Sequence, residues 1–118
     1  MADFEELAAG LRAWAYGDWI ATAATELLIS HETWLRRGSF LAACTDTGEG
    51  MTRIRWDDAR AFADGGPRCS TTELAVLRLA VAIGSDEYRL AAMGRANAGS
   101  IIRAFATALR MEGMLHGQ

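Results

Sequence analysis

Cys44, His31 and His116 are the residues best suited to covalent work, because nucleophilic catalysis needs a thiol or hydroxyl beside an imidazole base that a third group orients. Cys44 lies among Leu41, Ala42 and Ala43, a setting that predicts a structural thiol. His116 falls near the C-terminal end of the sequence, where fraying works against a catalytic position. Metal binding lacks its pattern: Cys44 and Cys69 have no close Cys or His partner, and His31-Glu32 does not begin a His-Glu-x-x-His helix. Asp46-Thr47-Gly48-Glu49-Gly50 lacks the alternating oxygen ligands of a calcium loop. The chain contains no lysine, so Gly94-x-x-x-x-Gly99 is not a phosphate-binding loop. The adjacent carboxylates Asp57 and Asp58 point in different directions on a helix. The expectation is therefore no catalytic residue, no cofactor and no metal.

Binding chemistry is better represented. Four tryptophans (14, 19, 34 and 56) are a generous supply, and Trp with Arg is the pair enriched at interface hot spots. Trp34-Leu35-Arg36-Arg37 and Arg53-Ile54-Arg55-Trp56 combine the two, which makes Trp34, Arg36, Arg37, Arg53 and Arg55 the candidates for contact with a protein partner. Core packing is the usual fate of a single tryptophan. The apolar residues Met111, Met114 and Leu115 are suited to covering the core or joining a second copy of the chain. A second reading concerns DNA. Residues 86–110 fit a short helix, a turn at Gly94 and a second helix, with Arg89, Arg95, Asn97, Ser100 and Arg103 placed to meet phosphates and base edges. From Arg89 onward four arginines face only Glu112, a local net of +3 within a chain of net charge −3.

The elements that must position these residues are helical. Phe4, Leu7, Leu11 and Trp14 recur at helical spacing, Gly17 interrupts, and Asp18 caps a second helix whose inward positions are Ile20, Ala23, Ala24, Leu27 and Leu28. A loop over residues 31–38 leads to a short helix capped by Ser39 and carrying Phe40, Leu41 and Cys44. Asp46 to Gly50 reads as a mobile loop, and Met51 to Trp56 as a weakly alternating segment without an evident strand partner. Asp57 caps a helix through Phe62 that Gly65-Gly66-Pro67 stops. Ser70-Thr71-Thr72-Glu73 matches a capping box, and Leu74 to Ile83 is apolar except for Arg78, which makes Thr71 to Ile83 the central helix. Asp86 to Met93 reads as a shorter helical segment. A final helix from Arg95 or Asn97 to Met111 turns Ala98, Ile101, Ile102, Phe105, Ala108 and Leu109 inward against the central one.

A length of 118 residues, 51% of them hydrophobic, and a single proline fit one folded domain over 1–118. No apolar stretch approaches the roughly 20 residues that cross a bilayer. The acidic start shows no secretory pattern, so the expected location is the reducing cytoplasm, with no membrane partner. The segments His31 to Arg37, Ile54 to Asp57, Cys69 to Leu74 and Asn97 to Leu109 resemble pieces of small uncharacterised helical proteins of high-GC actinobacteria or their phages, a resemblance that implies a helical fold and no particular activity. The expected architecture is all-α, a compact bundle of five or six helices with little or no strand. The expected function is that of a small non-enzymatic adaptor or regulator acting through protein contacts, as a homodimer. The alternative is a helix-turn-helix-like DNA-binding regulator using residues 86–110.

Overall fold

The computed structural model describes residues 3–111, which fall into two compact units divided between Tyr88 and Arg89. The first unit contains α1 (Phe4–Ala15), α2 (Trp19–His31), α3 (Gly38–Cys44), β1 (Thr45–Gly48), β2 (Met51–Ile54), α4 (Trp56–Asp64) and α5 (Thr71–Gly84). The second contains two short 3₁₀ turns, Leu90–Met93 and Arg95–Asn97, and then α6 (Ala98–Ala108). Six α-helices dominate the described residues, as the periodicity predicts. None of them is long and apolar enough to cross a membrane.

Local chemistry explains most of the boundaries. Gly17 takes φ +88° between α1 and α2, and the Asp18 carboxylate accepts from the amides of Ile20 and Ala21 at 3.0 Å each. At the start of α5 the Ser70 hydroxyl accepts from the Glu73 amide at 3.0 Å while the Glu73 carboxylate accepts from the Ser70 amide at 2.8 Å, completing the capping box. Two caps differ from expectation. Ser39 lies inside α3, which begins at Gly38 directly after extended Arg37, and no side chain caps it. Asp57 lies in the first turn of α4, where its charge suits the helix dipole, and the extended residue before the helix is Arg55.

The expectation of little or no strand is corrected by a small antiparallel hairpin. Thr45 to Gly48, read in part as a mobile loop, supplies the partner that Met51 to Ile54 lacked, with Asp46 opposite Arg53 and Thr47 opposite Thr52. Glu49 and Gly50 form the two-residue turn at φ +53° and +76°, the positive values that match strand twist in such turns. The hairpin lies against α1. A Cβ on Gly10 would come within 2.9 Å of Thr52 Oγ1, so the helix approaches β2 more closely than any side chain allows.

The core of the first unit draws on Leu11, Leu28, Trp34, Phe40, Ile54, Leu77 and Val81. Trp34, Phe40 and Phe62 pack with ring centroids 5.5–6.0 Å apart. α5 contributes Leu77, Ala80, Val81 and Ala82 as buried residues, although Ala75 remains exposed. In α2 the buried face is Ala21, Ala24, Thr25, Leu28 and Ile29, rotated away from the expected Ala23, which is exposed. Asp86 to Met93 does not form the expected helical segment. Asp86 and Arg89 adopt left-handed φ of 57° and 51°, leaving only the four-residue 3₁₀ turn Leu90–Met93.

Candidate functional site

Within the second unit, α6 ends in a left-handed cap: Arg110 takes φ +61°, its amide donates to Thr107 O at 3.0 Å, and the Met111 amide donates to Ala106 O at 2.7 Å. At 100° per residue, Ala98, Ile102, Phe105 and Leu109 fall within a sector of about 60°. The sequence pattern places this stripe inward, and within the second unit taken by itself it stands uncovered. Ile102, Phe105 and Leu109 are 53%, 50% and 69% exposed, and Ala106 beside them is the buried residue of the helix. Periodicity identifies an apolar face without identifying what covers it.

Arginines flank this face. Residues 89–111 contain no carboxylate, and among the described residues Arg89, Arg95, Arg103 and Arg110 form no ion pair. The arginines of the first unit are engaged in such pairs, Arg68 excepted. Charge is segregated accordingly. Residues 1–88 hold eight arginines against fourteen carboxylates, a net of −6, and residues 89–118 hold four against Glu112, a net of +3. Asn97, grouped with these arginines as a DNA-contact candidate, spends its side-chain amide on Met93 O at 2.7 Å. Gly94 does separate two segments, but the one before it is a single 3₁₀ turn where a helix-turn-helix needs a helix.

The five candidates for partner contact occupy the first unit: Trp34 is enclosed in the core, while Arg36 and Arg53 each form an ion pair with their side chains still more than half exposed. Trp34 is fully buried, with its indole Nε1 donating to Glu73 O at 2.9 Å, so it serves the core and offers nothing to a partner. Arg37 stacks over the Trp34 ring at 4.6 Å and donates to Arg68 O at 2.6 Å. Arg36 pairs with Glu32 at 2.7 Å and covers the Phe4 ring at 4.4 Å. Arg53 bonds its cross-strand neighbour Asp46 at 2.7 Å. Arg55 donates to Ala43 O at 2.7 Å and Thr45 O at 3.1 Å, and binds both Asp46 and Asp58, tying the end of α3, the hairpin and the start of α4 together. Hydrogen bonds from Arg53 and Arg55 hold the Asp46 carboxyl below its ordinary range.

Cys44 is fully buried, and burial, reinforced by the Asp58 charge, pushes its thiol up to about 11. No hydrogen bond links it to His31 among the described residues. No group of three or more His, Cys, Asp or Glu side chains there is placed to hold a metal ion. His116, Met114 and Leu115 lie outside the described residues. Two surface aromatics outside the five partner-contact candidates, Tyr16 and Trp19, are 90% and 85% exposed on either side of Gly17. Comparison with family models, curated proteins and solved structures finds no match for the chain.

Proposed function

We propose that the protein is a small non-enzymatic adaptor or regulator of the cytoplasm that acts through protein contacts, with α6 as its contact element. The observation that carries this reading is the exposed stripe Ile102, Phe105 and Leu109 on a helix flanked by arginines that form no ion pair among the described residues. An amphipathic helix of this kind fits an apolar groove with an acidic rim: the stripe supplies buried area, and Arg95, Arg103 and Arg110 supply orientation and encounter rate. A second copy of the chain is one such partner, since residues 1–88 are net acidic. The two free cysteines, one of them fully buried, suit a reducing compartment.

The DNA-binding reading draws on the same arginines, and a single experiment distinguishes it. A photo-crosslinking p-benzoylphenylalanine replaces Phe105 in the full chain within host cells, with and without nuclease treatment of the lysate. The expected product is a protein adduct that survives nuclease and is lost with Ile102→Asp or Leu109→Asp; self-association gives an adduct of twice the chain mass. A nucleic-acid adduct, or a protein adduct indifferent to both substitutions, overturns the proposal.

A further inference from the structure

Each unit, taken by itself, leaves one helix face uncovered. In the second unit it is the Ile102, Phe105 and Leu109 stripe of α6. In the first it is the outer face of α1, where Glu6, Ala9, Ala13 and the capping Tyr16 recur at helical spacing and are all exposed, with Trp19 exposed just beyond them. At 100° per residue these four positions fall within a sector of about 80°. The two faces are matched in shape: α6 presents large side chains, whereas Ala9 and Ala13 are small enough to let another helix come close. They are matched in length as well, since a rise of about 1.5 Å per residue makes α6 roughly 16 Å long and α1 roughly 18 Å.

Charge points the same way. Residues 1–32 hold six carboxylates against Arg12, a net of −5, so nearly all of the −6 of residues 1–88 is concentrated in α1, α2 and their flanks. Arg12 is committed to Glu26 at 2.7 Å, and Glu32 to Arg36 at 2.7 Å. Asp3, Glu5, Glu6 and Asp18 form no ion pair among the described residues, which puts uncompensated negative charge at both ends of α1. Taking α6 as the contact element, as proposed above, we infer that its partner is a second copy of the chain, and that the outer face of α1 is where it docks. Ile102 and Phe105 lie over Ala9 and Ala13, the arginines beside the stripe meet the carboxylates at the two ends of α1, and a guanidinium can stack on Tyr16 or Trp19.

A contact made by one short helix is weak, so the test traps it covalently. The full chain carrying photo-crosslinking p-benzoylphenylalanine in place of Tyr16, an aromatic for an aromatic, is mixed with an isotopically heavy parent chain, irradiated, and digested for mass spectrometry. The expected product has twice the chain mass and joins the light peptide carrying residue 16 to a heavy peptide from residues 96–110. Ala13→Arg, at an exposed position, should leave the melting temperature unchanged and cut the yield about tenfold, because it adds bulk and like charge where the stripe must lie. Trp19→Ala should also lower the yield. So should raising the salt from about 0.1 M to about 1 M, which shortens the screening length from roughly 10 Å to 3 Å. Docking on a second copy is overturned by the absence of an adduct, by an adduct confined to one chain, by a heavy peptide from outside residues 96–110, or by a yield indifferent to Ala13→Arg and to salt. If it fails while the crosslinker at Phe105 still captures a nuclease-resistant protein adduct, α6 remains the contact element and its partner is a different protein.

Discussion

Cys44 illustrates how a single environment turns a reactive group into packing material. Its thiol ionises only near 11 because the charged form is buried and faces Asp58, whereas the unfolded thiol ionises near 9.0. A folded pKa raised in this way contributes stability that is complete below the unfolded value and is lost as pH climbs from 9 towards 11. Cys44→Ser should therefore remove part of the loss of melting temperature between pH 8 and pH 10.5, and iodoacetamide at pH 8 should label native Cys44 no faster than the protein opens. Arg55 is the opposite case, an arginine committed to four acceptors at once. Arg55→Lys keeps the charge and loses the fork, so it should melt roughly a few degrees lower in a thermal scan. Reading Trp34 and Arg55 as partner-facing follows from composition alone. What composition cannot express is that Glu73 O, Ala43 O and Thr45 O, contributed by distant or adjacent backbone, already claim these donors.

Helix starts with a local chemical signature, Asp18 and Ser70, were legible because a cap is chosen by residues within three positions of it. The hairpin was not, because β1 buries no large apolar side chain and so shows no alternation. It is held by the backbone ladder, by Thr47 against Thr52 at 3.2 Å and by Asp46 against Arg53, all of which depend on the partner strand. Thr25 escapes for a related reason: a polar residue is not counted in an apolar stripe, although it lies on the buried face of α2. Close approaches between elements are equally silent in the sequence. A Cβ on Gly84 would lie 2.3–2.6 Å from the Trp56 ring, so the end of α5 admits α4 only through a missing side chain. Gly84→Ala gains helix propensity of about 1 kcal/mol. It should nevertheless lose about 1–3 kcal/mol in denaturant unfolding, because a rigid indole must move.

At the scale of the whole chain, the division into residues 1–88 and 89–118 coincides with a division of charge. The net of −3 hides this, since it is the remainder of two opposite values. The aromatic residues are divided more sharply still. All four tryptophans and both tyrosines lie in residues 1–88, in settings that run from the fully enclosed Trp34 to Trp19 at 85% exposure, whereas residues 89–118 carry Phe105 alone. Intrinsic emission from this protein is thus a one-sided witness. It follows the events of the first unit, with iodide reaching Trp19 well before Trp34, and α6 carries no tryptophan or tyrosine of its own to report on it unless a fluorophore is placed there.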